Sequence, residues 1–167
     1  MNCHTASVHL IIGKLSSGKT TLTKKIAQTN NAVILSCDEL MLALHPIDSG
    51  FDYEEELQRI KRYLLHLALS ILSTGTDVVL DWGFWIRSER DEVHNFFRAA
   101  SLPQQWYCLQ LSDDEWNKRI GQRNKEIETG KTGEYYIDKV LLKKCKSRYQ
   151  NPDNDEIKQK RIMIYDE

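Results

Sequence analysis

No apolar run in the chain approaches the ~20 residues that span a bilayer. The opening MNCHTASVHLIIG carries no basic segment ahead of its apolar stretch, so it does not read as a secretion signal. Cysteine is scarce. Cys3, Cys37, Cys108 and Cys145 form no CxxC pair and match no zinc spacing. Cys37 and Cys108 lie in apolar segments, where free cysteine behaves as a small hydrophobe. These absences predict a reduced protein of the cytoplasm. Net charge is missing too: 23 Lys and Arg stand against 24 Asp and Glu, a formal −1, which gives no general pull toward nucleic acid or membrane. No repeat or low-complexity linker divides the 167 residues, so one domain is expected.

Several motifs are absent as well. Without G-x-G-x-x-G, a dinucleotide enzyme is disfavoured. No G-x-S-x-G elbow surrounds Ser16 or Ser17, which therefore read as loop members rather than nucleophiles. Asn124-Lys-Glu-Ile127 lacks the aspartate of the guanine-reading N-K-x-D, which disfavours a guanine-nucleotide switch. The histidines at 4, 9, 45, 66 and 94 show no ligand spacing.

Short β-rich runs alternate with helical patterns. Strands are predicted at Val8–Ile12, Ala32–Ser36, Thr76–Asp81, Gln105–Leu111 and Arg161–Tyr165. Their near-continuous apolar character suits parallel strands covered on both faces. Helices are predicted over Gly18–Thr29, Glu39–Leu44, Arg87–Ala100 and Tyr135–Tyr149, the last with Ile137, Val140 and Leu141 inward. Leu57, Ile60, Leu64, Leu67, Ala68 and Ile71 form one apolar helical face that ends at Gly75. Ser112-Asp-Asp-Glu115 has the form of a capping box. Such alternation predicts a doubly wound α/β domain whose ligands bind at the carboxyl ends of the strands.

Gly13-Lys-Leu-Ser-Ser-Gly-Lys-Thr20 matches the phosphate-loop pattern G-x-x-x-x-G-K-S/T in full, between a buried-type strand and a helix. Glycines at 13 and 18 permit the backbone shapes and close approach that let successive N–H groups gather around phosphate oxygens. The helix start adds its positive end. Lys19 can reach the β- and γ-phosphates, and the Thr20 hydroxyl can bind magnesium. Gly13, Ser16, Ser17, Gly18, Lys19, Thr20 and Thr21 are the expected contacts to ATP.

Two acids follow strands. Asp38 lies just past the second, where a carboxylate can accept the proton of an attacking hydroxyl; a plain helix cap is the alternative. Asp81 ends the third, where phosphate-loop proteins carry a magnesium-holding acid; a strand-end turn residue is its alternative. Trp82, Phe84 and Trp85 read as packing, and Gly83 as a sharp turn. Farther on, Trp116 and Ile120 share one helical face, with Arg119 and Arg123 on the adjacent one. Those arginines can clamp phosphates or form a solvated basic face. The run Lys143–Arg148 reads as solvated. The polar, glycine-containing 126–133 stretch suits a mobile lid.

Together GKLSSGKT, SCDE, VVLDWGFWIRSERDE and WNKRIGQRN resemble the small bacterial P-loop kinases of the AAA-33 type, over about Val8 to Pro152. That group is related to the kinase domain of polynucleotide kinases, to zeta toxins and to chloramphenicol phosphotransferase. The resemblance implies a three-layer P-loop NTPase fold of about five mostly parallel strands, with a helical lid at about 116–136. It implies Lys19 and Thr20 on phosphate and magnesium, Asp38 as the acceptor-activating aspartate and Arg119 and Arg123 as lid arginines. Arg87 and Arg90 match basic positions that touch phosphate or acceptor, and Asn151-Pro152-Asp153 a loop beside the adenine. The acidic stretch 46–56, where acceptor contacts often arise, matches no subfamily. The expected activity is ATP- and Mg2+-dependent phosphoryl transfer to an unidentified hydroxyl acceptor, a small molecule or nucleotide. A 5′-hydroxyl polynucleotide kinase is the nearest alternative. From another class, the alternative is a nucleotide-operated binding module with slow ATP hydrolysis.

Overall fold

In β1 (Val8–Ile12) all five residues are buried, as a strand with a helix layer on either face requires. The computed structural model describes residues 5–45, 52–131 and 136–166. After β1 come α1 (Lys19–Asn30), β2 (Val33–Ser36), α2 (Cys37–Leu44), α3 (Tyr53–Ser73), β3 (Val78–Gly83) and α4 (Arg87–Ala99). β4 (Gln104–Gln110), α5 (Asp113–Glu128), α6 (Lys139–Arg148), α7 (Asn154–Lys160) and β5 (Met163–Asp166) complete the order. The strands form one parallel sheet in the order β2-β3-β1-β4-β5.

Alternate residues of the central strands serve opposite layers. Val8, Leu10, Val78, Leu80, Trp106 and Cys108 pack with Ile60, Leu64 and Ala68 of α3 and Val93 and Phe97 of α4. Ile11, Val79, Tyr107 and Leu109 pack with Ile26 and Ala27 of α1. Each fully buried aliphatic side chain contributes about 1.5–3 kcal/mol. The result is the three-layer α/β/α P-loop NTPase fold. A satellite cluster of Trp116, Ile120, Ile137 and Cys145 packs Leu15 and Trp85 against α5 and α6.

Some boundaries moved for identifiable reasons. β3 starts two residues later than predicted because Asp77 acts as a clasp: its carboxylate accepts from Ser7 N at 2.9 Å and bonds His9 Nε2 at 3.0 Å. The other His9 ring nitrogen lies 3.0 Å from Tyr107 Oη. The strand then runs on through Trp82, because Ile12 pairs with Gly83. α6 starts at Lys139 because Asp138 caps it, accepting from Leu141 N at 2.7 Å. That later start turns Val140 outward, 75% exposed, against the predicted inward face. Ile137 is buried ahead of the helix, held through its N–H and C=O by the Asn124 side chain at 2.9 Å each. α3 ends as predicted, with Gly75 left-handed at φ 84° just past its cap.

Candidate active site

β1 and β3 end side by side, and the loop between β1 and α1 is tied to both. Gly13 N donates to Gly83 O at 3.1 Å. Ser16 (φ 55°) and Gly18 (φ 93°) take left-handed conformations. Interleaved with ordinary residues, these turn successive N–H groups to one side. Gly13 leaves space that no other residue would: a Cβ there would stand 2.4 Å from Ser17 Oγ. The buried hydroxyls of Ser16 and Ser17 have no hydrogen-bond partner. Buried polar groups without partners are rare and costly, and phosphate oxygens would supply acceptors. The loop's residues thus fit a triphosphate.

Lys19 opens α1 and is half-buried; its Nζ donates to Lys14 O at 2.7 Å. Burial holds its ammonium below the ordinary value, against the upward pull of the Asp81 and Asp38 carboxylates, and the Arg123 guanidinium adds to the lowering. Asp81 of β3, Asp38 of α2 and Arg123 of α5 thus lie near enough to act on Lys19. Asp81 is pushed up by burial and by Asp38 and Glu39, and drawn down by Lys19. Register places Asp81 beside Ser36, two residues before Asp38. Thr20 and Thr21 lie exposed in the first turn of α1. A hydroxyl and a carboxylate beside Lys19 are oxygen donors suited to a hard divalent cation.

Asp38 is not the cap of its helix. Ser36 caps α2, its side chain accepting from Glu39 N at 3.3 Å, and the helix starts at Cys37 rather than Glu39. The Asp38 side chain is exposed in the first turn, free of that structural duty. Beyond it Lys61 of α3 pairs with Glu89 of α4, with the Lys61 ammonium 5.9 Å from the Trp82 ring centroid. The Trp82 indole N–H is buried and has no partner. Residues 46–51 of the acidic stretch lie outside the described residues; Asp52 caps α3.

The capping box opens α5, with Ser112 Oγ accepting from Glu115 N at 3.2 Å. Arg119 bonds Glu115 at 3.1 Å and reaches the phosphate loop at Ser17 O, 3.4 Å away. Of the two predicted lid arginines, Arg119 thus reaches the loop, and the charge of Arg123 acts on Lys19. Of the predicted lid, residues 132–135 lie outside the described residues.

Two basic residues behave otherwise. Arg90, expected near phosphate or acceptor, is fully buried in an ion pair. Its Nε and Nη2 bond Glu156 at 2.7 and 2.8 Å, and Nη1 bonds Phe84 O and Gln150 O at 3.0 Å each. Arg87 pairs with Asp153. Both thus tie α4 to the 150–156 segment, in which Pro152 is buried.

The aromatics read as packing divide into two kinds. Phe84, left-handed at φ 47°, is fully buried between Trp82 and Trp106. Trp85 and Trp116 are donors to the loop: Trp85 Nε1 bonds Gly13 O at 3.1 Å and Trp116 Nε1 bonds Leu15 O at 2.7 Å. The inward stripe of Trp116 and Ile120 revealed the burial of that ring; nothing in the spacing revealed the bond.

The sequence pattern of the family described as AAA domain, of the AAA-33 type, matches residues 8–152. Comparison with curated proteins finds no match. Among solved structures, the fold is similar to Kti12 of Chaetomium thermophilum in complex with ADP-AlF3, with TM-score 0.72, 15% identity, and 95% of this chain and 88% of that one covered. It is similar to the APS kinase CysC of Mycobacterium tuberculosis in complex with AMPPNP and APS: 0.63, 18%, 97% and 88%. A gluconokinase of Sinorhizobium meliloti 1021 gives 0.61, 17%, 98% and 83%. Among the described residues no helix is long and apolar enough to cross a membrane.

Proposed function

This chain belongs to the AAA domain family of the AAA-33 type, and from that premise we propose that it is a kinase that passes the γ-phosphoryl group of ATP to a hydroxyl-bearing acceptor. One observation carries the reading. Lys19 lies against the end of β3, where a Cβ at Gly83 would stand 3.6 Å from its Cε, and among the described residues its ammonium bonds only the Lys14 carbonyl, beside a loop whose buried Ser16 and Ser17 hydroxyls have no partner. Titratable groups displaced in opposite directions at one strand edge mark a place built for charge that comes and goes.

The loop from Gly13 to Gly18 holds the phosphates by its N–H groups, with Ser16, Ser17 and Thr21 beside it. Lys19 leaves the Lys14 carbonyl for the β- and γ-oxygens. Thr20 and Asp81 would hold magnesium, which neutralises phosphate charge when bound. Asp38 orients the acceptor hydroxyl. As its oxygen bonds to the γ-phosphorus, the bond to the β-bridging oxygen breaks, ADP leaves, and the proton passes to the Asp38 carboxylate. Arg119 and Arg123 offset the charge that develops on the transferred group. Closure of the lid excludes water and so limits hydrolysis. Pro152 borders the base. The expected setting is the cytoplasm.

Calorimetry with Mg·ATP tests the binding half. Transfer of labelled γ-phosphate to nucleosides, nucleotide sugars, antibiotics and a short 5′-hydroxyl oligonucleotide tests the chemical half. Binding followed by transfer to one acceptor class supports the reading. No uptake of any nucleoside triphosphate at millimolar concentration by folded protein overturns it.

A further inference from the structure

Four carbonyl oxygens of the phosphate loop are each held by a side-chain donor. Gly13 O takes Trp85 Nε1 at 3.1 Å, Lys14 O takes Lys19 Nζ at 2.7 Å, Leu15 O takes Trp116 Nε1 at 2.7 Å, and Ser17 O takes Arg119 Nη1 at 3.4 Å. A planar trans peptide holds its C=O and the next N–H on opposite sides. Fixing the oxygens of Gly13, Leu15 and Ser17 therefore fixes the N–H groups of Lys14, Ser16 and Gly18 on the other side. Lys19 must leave its carbonyl to reach a phosphate, and Arg119 has a charged partner in Glu115. The two indoles have neither alternative: a tryptophan N–H is a donor only, with one bond to make.

We propose that Trp85 and Trp116 are positioning residues that keep the phosphate loop in its anion-binding shape through their indole N–H groups. Trp116 in addition ties that shape to the helix that carries Arg119 and Arg123. This inference rests on the nucleotide-binding reading above and adds to it residues that touch neither nucleotide nor acceptor.

The surroundings of each ring support the assignment. Trp116 is 1% exposed, packed with Ile120, Ile137 and Cys145. The ammonium groups of Lys14 and Lys146 lie 4.5 and 5.4 Å from its centroid, which fixes the ring by cation–π contact. A shift of α5 thus moves the donor on Leu15 O together with the two arginines. Trp85 depends on Gly83 at the end of β3. A Cβ at Gly83 would stand 2.9 Å from Trp85 Nε1, and Gly83 itself is left-handed at φ 81°. The glycine that turns the strand therefore also makes room for the indole that holds the loop.

Trp106 supplies the contrast. It is as buried as Trp116 and its indole is also bonded, but to Gln104 Oε1 at 3.2 Å, within its own strand. No loop carbonyl depends on it.

The test separates the donor from the ring. At position 116, benzothienylalanine keeps the bicyclic shape and puts sulfur where the N–H stood, whereas 5-fluorotryptophan keeps the N–H. Mg·ATP affinity is measured by calorimetry and thermal stability by circular dichroism on the full chain. The benzothienyl protein should bind Mg·ATP about tenfold more weakly, the loss of one buried hydrogen bond. The fluorotryptophan protein should bind as the unsubstituted chain does. The same exchange at position 85, where the bond is longer, should give about threefold. In ¹⁵N-labelled protein, Mg·ATP should shift the indole signals of Trp85 and Trp116 and leave that of Trp106 in place.

Equal Mg·ATP affinity in both substituted proteins overturns the positioning role while leaving the kinase reading intact. Equal weakening in both also overturns it, because the ring rather than its N–H would then matter. If the unsubstituted chain takes up no Mg·ATP, the kinase reading and this inference fall together.

Discussion

Two clusters of charge flank the end of β3, built from the same residue types and put to opposite uses. On the α4 side, every hydrogen of the Arg90 guanidinium used in a bond meets a carboxylate or carbonyl within 3.0 Å. Lys160 lies 3.4 Å from Glu156 and also pairs with Asp91. On the loop side, the Asp81 and Asp38 carboxylates act on Lys19, but the ammonium bonds a neutral carbonyl, and the nearby Ser16 and Ser17 hydroxyls have no partner. Burying charge is expensive unless each group is matched. The first cluster is matched within the protein and fixes α7 and the 150–156 segment on α4. The second leaves its ammonium on a neutral carbonyl beside two hydroxyls without partners, as the proposed phosphate site requires. The directions of titration agree: burial lifts Glu156, but Arg90 and Lys160 outweigh it and hold the carboxyl below its ordinary value. Lys19 and Asp81 are displaced the other way, each toward its neutral form.

The largest expected effect lies on the unmatched side. Lys19→Ala should lower phosphoryl transfer roughly a thousandfold or more, as removal of a phosphate-clamping cation does. Its melting temperature should not fall, because the substitution removes an ammonium that folding disfavours. Single-turnover transfer and a melting curve on one preparation check both halves; a large loss of stability would make Lys19 structural and erase the contrast. Asp38→Ala comes next. It should lower turnover about 10²–10⁴-fold while leaving Mg·ATP affinity unchanged, read by calorimetry beside a rate measurement. Unchanged turnover would remove the proton-accepting role.

The matched side should respond in stability. Glu156→Gln leaves Arg90 buried beside a neutral amide, and urea unfolding at neutral pH should show a loss of about 3–5 kcal/mol. Joint replacement by apolar residues, Arg90→Met with Glu156→Leu, should recover most of it. The pH dependence follows from the lowered folded-state value. The stabilisation from Glu156 is fully present above its ordinary 4.5 and is lost as pH falls through the lower folded value. The substituted protein should lack that acid limb. A double variant no more stable than the single one would place the penalty outside the ion pair.

The sequence foretold the unmatched cluster far better than the matched one, and the reason is physical. A phosphate loop needs fixed residue types at contiguous positions, so Gly13 to Thr20 was readable as a motif. Asp38 and Asp81 were readable because strand ends converge in a parallel sheet. Arg90 and Glu156 are 66 residues apart, on helices whose relative placement depends on the order in which β4 and β5 join the sheet. No local pattern encodes that, and the resemblance alone pointed Arg90 to phosphate or acceptor. The indole donors failed for a related reason: helical spacing tells that Trp116 faces inward, but not which backbone oxygen it meets. The face of α6 was misread because a cap, Asp138, reset where the helix begins, and Val140 turned outward with it. The acceptor was not legible at all, since loops of variable sequence build such pockets on a shared fold.

The smallest expected effect tests whether exposure is what separates a structural ion pair from an idle one. Glu54 at the start of α3 accepts from Arg148 at 2.7 Å and from Lys144 at 3.3 Å, both on α6. Its bond to Arg148 draws its carboxyl below the ordinary value despite the opposing effect of burial. On paper this resembles Glu156, one carboxylate between two cations joining two helices. The difference is water: the three side chains are 44–48% exposed, whereas those of Arg90 and Glu156 are 0% exposed. Solvent and salt screen the exposed pair, and side-chain entropy opposes it. Glu54→Gln should therefore change unfolding free energy by at most about 1 kcal/mol, with the difference shrinking further at about 1 M salt. Its contribution, like that of Glu156, should disappear as pH falls through the lowered carboxyl value, but within that smaller range. Urea unfolding of both glutamine variants at low and high salt makes the comparison. If Glu54→Gln cost as much as Glu156→Gln, burial could not be the property that gives the Arg90 cluster its hold on the fold.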